Sequence, residues 1–381
     1  MQSVRSVRSP IAAGIRKILS ARPAPHLGAL VASLALVPVA NGANITTSDG
    51  SNTLYLGSSV VVDPLITVTA SQNIGQARVR VTHGNLYLSY DQLGCDLLES
   101  PLSCVWNEDD FELRIDGEAS PAEWEAMLRS VRFGTGNGHQ TPRTVTFTLG
   151  NTRPFQGEDH TGMHYYVQAE CSDGAEGGSC TWFQAKQHAS EQSLFGLQGY
   201  LATITSQEEN DFLNAFPWVN APWIGATDDY LQINAVTEAG YANQSEAEGY
   251  WHWVTGPEAG TLFSIGNHDG AEGGVPAVEG QYANWNAGEP NDSGGEHYAE
   301  FHNVWNDLPN WNKPVYFLEF GGMPGDPVVQ LSAQKTVNVL AEPPADDPPV
   351  RKNYGSSMDP VSLLGLAAAG LLGRWRTRRR A

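Results

Sequence analysis

From Asn44 to Asp159 the apolar residues of this chain recur at every second position in short runs. These are VVVDPLITVTA at 60–70, ARVRVTHGNLYLSY at 77–90, FELRIDG at 111–117, SVRFGTG at 130–136 and RTVTFTLG at 143–150. A period of two places successive side chains on opposite faces of an extended chain, a pattern that no helix can gather on one side. Gly, Asn and Pro separate the runs, so turns are expected between strands, and strands at this spacing pack as a sandwich. One stretch departs from the pattern: in SPAEWEAMLRS, Ser120 is expected to cap a short helix with Trp124, Met127 and Leu128 on one face. The all-β segment expected over residues 44–160 holds no constellation of residues that points to chemistry.

From Met163 the texture changes. CTWFQAKQHASEQ puts Trp182, Ala185 and Ala189 at helical spacing behind a Thr181 cap, and YLATITS reads as a strand. Ser206 and Glu209 form a capping-box pattern ahead of DFLNAF, which predicts a second short helix. Tryptophan-rich strand-like phrases and long irregular loops follow. Within one of these, ANWNAGEPNDSGGEHYAEFHNVWNDLP at 283–309, five side chains end in carbonyl or carboxylate oxygen: Glu289, Asn291, Glu296, Asn306 and Asp307. Gly, Pro, Asn and Asp are ordinary loop residues and by themselves imply no ligand. Yet calcium takes about six to eight oxygen ligands of this kind, and five in one segment supply most of a shell.

The order of phrases resembles the C-type lectin-like fold. GYLATITSQEEN at 199–210, WIGATDD at 223–229, WHWVTG at 251–256, NWNAGEPND at 284–292, WNDLP at 305–309 and FLEFGG at 317–322 run in register over residues 163–322. The preceding segment, through DGEASPAEWEAMLRSVRF and RTVTFTLGN, resembles the cadherin-like, immunoglobulin-type repeats of bacterial adhesins. Together they imply a multidomain chain, an all-β sandwich followed by an α+β C-type lectin-like domain. By resemblance, Glu289, Asn291, Glu296, Asn306 and Asp307 hold Ca2+, and Pro290 in a cis Glu-Pro bond turns its neighbours toward the ion. The EPN order implies sugars with mannose-type equatorial hydroxyls, each hydroxyl giving a lone pair to calcium and pairing with a carboxylate and an Asn amide. An auxiliary calcium would use Asp228, Glu248, Asp292 and Glu296, with His297 standing where a further acid is expected. The tryptophans Trp223, Trp251, Trp253, Trp285 and Trp305 are expected in the core rather than stacked on sugar. His188, His252, His268, His297 and His302 show no paired metal spacing and are expected on the surface or in the core.

This chain departs from the family in two further ways. The long-range cysteines of animal C-type lectins are absent, with Trp311 and Leu318 near those positions, and an insertion lies between Asp229 and Trp251. The four cysteines instead fall as two close pairs, Cys95 with Cys104 and Cys171 with Cys180, and local disulfides are expected in an exported protein.

The ends point to export. Residues 1–43 carry Arg5, Arg8, Arg16, Lys17 and Arg22 without an acid, then the apolar LGALVASLALVPVA, as in a signal peptide with cleavage points at Ala40, Gly42 and Ala43. Residues 323–357 read as an extended tail and a Pro- and acid-rich linker. The apolar VSLLGLAAAGLLG within 358–381, closed by Arg374, Arg376 and Arg378 to Arg380, resembles a C-terminal sorting or anchor segment of bacterial surface proteins. Between the ends, residues 44–357 hold 12 Lys and Arg against 41 Asp and Glu. That excess argues against nucleic acid as a partner. The expected partners are cell-surface or extracellular glycans, with surface proteins as the alternative for a calcium-stabilised adhesion module lacking sugar specificity. Catalysis is not expected. Calcium holds carboxylates ionised whereas a general acid needs a raised pKa, and the chain contains no nucleophile elbow, HExxH or Cys-His pair.

Overall fold

The computed structural model describes residues 42–83, 90–96, 100–136, 138–157, 162–171, 178–216, 220–267 and 274–341, all in one compact unit. The expected signal region up to residue 41, and the linker and sorting segment from 342 onward, lie outside the described residues. Ala43 is buried and opens the strand Ala43–Thr46, so it belongs to the folded body and not to a leader ending at residue 43. Among the described residues no helix is long and apolar enough to cross a membrane.

The first part is mostly sheet. Six strands run in the order Ser51–Tyr55, Ser332–Leu340, Arg143–Leu149, Ile74–Thr82, Glu112–Ala119, Ser103–Asn107. A three-stranded sheet of Ser59–Val61, Arg132–Thr135 and Asp91–Gly94, and the pair Ala43–Thr46 with Thr67–Ala70, complete it. Pairing sets Val145 against Val81 and Phe147 against Val79, so the apolar face of each strand is buried beside its neighbour's. The run at 60–70 forms two strands, not one. Pro64 follows Asp63, whose buried carboxylate accepts from Ser48 N at 2.7 Å, Ser48 Oγ at 2.8 Å and Leu65 N at 3.0 Å, fixing a turn. Helix α1, Pro121–Arg129, begins at the expected Ser120 cap, which forms a capping box with Glu123, and buries Trp124, Met127 and Leu128.

In the second part the main sheet runs Arg153–Phe155, His164–Glu170, Val315–Phe320, Trp223–Thr227, Tyr250–Trp253, Leu262–Ile265. Leu197–Leu201 adds to Val315–Phe320, and the hairpin Tyr298–His302 with Val304–Leu308 adds to Trp223–Thr227. Helix α2, Trp182–Glu191, starts at a Thr181–Gln184 capping box. Helix α3, Gln207–Asn214, is capped by the Ser206 hydroxyl, but Glu209 does not return the bond; its carboxylate turns inward to Thr205 and Tyr166. The insertion after Asp229 folds as α4, Tyr230–Val236, and α5, Gln244–Ala247. Cys95–Cys104 and Cys171–Cys180 are paired.

The expectation of an extended tail from residue 323 is corrected at Ser332–Leu340. This segment returns as a strand inside the six-stranded sheet, parallel to Ser51–Tyr55 and antiparallel to Arg143–Leu149. The second part therefore sits between strands of the first instead of following it. Ala333, Val337 and Val339 face the core, while the fourth inward position is Lys335, whose ammonium donates to Ser48 O and Ser48 Oγ at 2.7 Å. At the junction Leu331 N donates to the buried Tyr165 hydroxyl at 2.9 Å. Gly150 sits at φ +91°, a backbone conformation that favours glycine, and a Cβ there would also press on the Leu194 side chain of the second part at 2.8 Å.

Candidate functional site

The site loop rests on a tryptophan core. Trp223, Trp251, Trp253, Trp285 and Trp305 are all buried, as expected from the sequence. The Trp253 and Phe263 rings stack with centroids 4.5 Å apart, and Trp305 meets Trp253 and Trp285 edge-on. Trp305 N donates to Asn284 O at 2.7 Å and Asn286 N to Trp305 O at 2.8 Å, tying the loop to the last hairpin strand. From α3 the buried Asn210 accepts from Trp305 Nε1 at 3.0 Å and donates to Asn303 O at 2.9 Å, fixing the hairpin turn.

On this base the structure brings four of the five oxygen donors into one hydrogen-bonded group. Asp307, fully buried, accepts from Asn291 N at 3.1 Å and from Asp292 N at 2.9 Å. Asn291 Nδ2 donates to Glu289 Oε2, and Ser293 N donates to Asn291 Oδ1 at 2.8 Å and Glu296 Oε2 at 3.1 Å. The Glu289–Pro290 peptide is cis. Asn306 stands apart in its contacts: its amide nitrogen turns to Asp307 O at 2.9 Å and Glu300 Oε1 at 3.3 Å, and Glu300 is paired with Lys313.

Glu289, Glu296 and Asp307 make no ion pair among the described residues. Burial, then the neighbouring Asp307, pushes the Glu289 and Glu296 carboxyls up to about 7. Burial also raises Asp307. Three carboxyls without a counter-charge gather around Asn291, whose amide nitrogen faces Glu289; with that amide turned over, the group would be an all-oxygen donor set of the kind calcium takes.

The expected auxiliary residues divide. Asp228 and Glu248 come together, but with His297, while Asp292 turns Oδ1 to Glu296 N at 3.0 Å. The reading of His297 as a plain surface or core histidine is corrected: its Nδ1 lies 3.0 Å from Asp228 Oδ1. His268 lies outside the described residues. Sequence reasoning missed Gln244 and Asn267, which reach into this group from α5 and from the end of Leu262–Ile265. It also missed a buried acidic network beneath the sheet. The Tyr166 hydroxyl lies 2.6 Å from Glu209 and 2.8 Å from Glu319, donating its one hydrogen to one carboxyl and accepting from the other, and Glu319 accepts further from Thr203 N beside the Tyr200 hydroxyl.

Comparison with known proteins adds likeness at two ranges. No family model matches the chain. It is 33% identical over 319 residues to halomucin of Haloquadratum walsbyi, an alignment covering 80% of this chain and 3% of that protein. It is 30% identical over 136 residues to CD209 antigen-like protein D of Mus musculus, covering 34% of this chain and 43% of that one. The chain thus spans less than half the length of either relative. Among solved structures it is similar to the cow C-type carbohydrate-recognition domain of CD23, determined in the presence of a GlcNAc2Man3 oligosaccharide. That likeness is 22% identity over 42% of this chain and 90% of the other, at a TM-score of 0.27. The trimeric Kupffer cell C-type lectin receptor Clec4f matches at 19% identity over 46% and 85%, with a TM-score of 0.24.

Proposed function

We propose that this protein is a non-enzymatic, calcium-dependent glycan-binding protein of a bacterial cell surface, reading mannose-type sugars at the Glu289–Asp307 loop. The carrying observation is that Glu289, Asn291, Glu296 and Asp307 are linked by hydrogen bonds around the Glu289–Pro290 turn, with no paired cation among the described residues. Calcium bound there would be held by these four with Asn306 as the fifth, and it would offer open positions to two vicinal hydroxyls. Glu289 accepts from a sugar hydroxyl while the Asn291 amide can donate to it, so each hydroxyl meets an asymmetric pair. One shallow sugar site binds weakly, and useful retention comes from many copies on a surface.

Retention of the full chain on immobilised mannose, in calcium and then in chelator, tests the reading. Exchanging the pair, Glu289→Gln with Asn291→Asp, keeps charge and ligand count but reverses donor and acceptor, so mannose retention should be lost. Equal retention by both forms would remove the loop as the sugar reader. A second reading, a protein-binding module, draws on Leu231, Val236 and Tyr250, which leave apolar surface exposed along the insertion. Calorimetry showing no calcium uptake at millimolar concentration would favour it. Export and anchoring are tested by deleting Val361 to Ala381; unchanged fractionation would count against a sorting tail.

A further inference from the structure

Away from the Glu289–Asp307 group, a second set of ligand atoms lies together. Asp228, Glu248 and His297 each contribute one such atom within 4.8 Å of the other two. We propose that this trio is a site for a zinc-class divalent cation, one that accepts imidazole nitrogen, instead of a second calcium site. It shares no protein ligand with the proposed sugar site, so the two stand or fall separately.

Spacing and donor type carry the proposal. His297 Nδ1 lies 3.0 Å from Asp228 Oδ1 and 3.6 Å from Glu248 Oε2. Ligands of a tetrahedral zinc at about 2.0–2.1 Å stand about 3.3 Å from one another, so these separations fit with side-chain adjustment alone. Calcium selects oxygen, whereas imidazole suits zinc, copper, nickel and iron. An imidazole in place of one acid therefore changes the class of ion that fits.

The surroundings are built to aim these atoms. Gly249 N donates to Asp228 Oδ2 at 2.9 Å, which leaves Oδ1 facing inward. Asn267 Nδ2 holds Glu248 Oε1 at 2.7 Å, which leaves Oε2 facing His297. Such outer contacts orient metal ligands. Asn267 Oδ1 itself is buried and lacks a hydrogen-bond partner among the described residues.

At the centre sits the Gln244 amide nitrogen. It is 3.1 Å from Asp228 O, 3.2 Å from Glu248 Oε2, 3.3 Å from His297 Nδ1 and 3.4 Å from Asp228 Oδ1. An amide has two hydrogens for these four contacts, and those to His297 Nδ1 and Asp228 Oδ1 exceed the ordinary hydrogen-bond range. A cation would satisfy the same acceptors directly, and a half-turn of the amide, which gives up the 3.3 Å bond from Tyr230 N to Gln244 Oε1, would present that oxygen as a fourth ligand. Any proton on His297 Nδ1 leaves to solvent when the metal binds.

The experiment uses the full chain, stripped with chelator. Cobalt(II) serves as a visible probe of nitrogen ligation, with zinc and calcium titrated calorimetrically and as competitors. One equivalent of zinc should bind, displace cobalt, and remain bound in Glu289→Gln. His297→Ala should weaken zinc at least about 100-fold, while His297→Asp should lose zinc preference and gain calcium. Circular dichroism, with His297→Gln as a second variant, checks that these chains are folded. Equal zinc uptake by wild type and His297→Ala would overturn the site, as would calcium displacing zinc at matching concentration. Intact zinc uptake without mannose retention would overturn the sugar reading alone.

Discussion

Single side chains divide the polar interior into two kinds. Asp307 is buried but receives two backbone N–H groups, that of Asn291 shared between its oxygens and that of Asp292 on Oδ2, and it finds no cation within the described residues. Asp307→Asn keeps the shape and removes one carboxylate. Calcium affinity should fall by more than about tenfold, read by calorimetry. Glu319 is a different case: burial, then the charge of Glu258, pushes its carboxyl up to about 8, and burial with Glu319 beside it raises Glu209 well above its usual range. A carboxyl raised in the folded state binds its proton more tightly there than in the unfolded chain. Its stabilising contribution is full below the ordinary carboxylate range and is lost as pH rises through about 8. In chelator, the denaturant midpoint should therefore fall as pH rises from about 5 to about 8.5. A midpoint that rises over that window would contradict the raised, proton-holding carboxyls of Glu209 and Glu319.

Among the elements, Ser332–Leu340 does most to join the chain. It lies between two other strands, so its loss would leave Ser51–Tyr55 and Arg143–Leu149 unpaired along that edge. Val337→Ala, at a fully buried position, should cost about 2 kcal/mol in denaturant unfolding. Lys335→Met keeps the stem but leaves Ser48 O and Asp49 O without their donor, and should cost about 1–3 kcal/mol. If both changes left the midpoint unmoved, the strand would not be pairing in solution. The strand was hard to read from sequence because one of its inward positions is a lysine, which breaks the apolar alternation that marks a half-buried strand.

At the scale of the whole molecule, the six-stranded sheet that begins with Ser51–Tyr55 is completed only after the second part has been threaded through. Both ends of that part are held: Arg153–Phe155 pairs with His164–Glu170, and Leu331 bonds to Tyr165 and Leu149. Unfolding followed by far-ultraviolet and near-ultraviolet circular dichroism should then give coincident transitions. Two separated transitions would mean that the parts behave as tandem domains after all.

Local chemistry alone pointed to the strands Ile74–Thr82, Glu112–Ala119, Arg132–Thr135 and Arg143–Leu149, the caps at Ser120, Thr181 and Ser206, the paired cysteines and the donors around Pro290. Each is set by neighbours within a few positions, where periodicity and turn residues speak directly. Only the tertiary structure decided that Glu209 would leave its cap for Tyr166 and that Gln244 and Asn267 would meet Asp228, Glu248 and His297. It also decided that Ser332–Leu340 would pair with a strand some 280 residues earlier, Ser51↔Thr336 being one such contact. These contacts join residues far apart in the chain, and their energy comes from burial and from satisfying polar groups that burial strips of water. No local pattern carries that information, because the partner that satisfies each group is chosen by the packing of the whole.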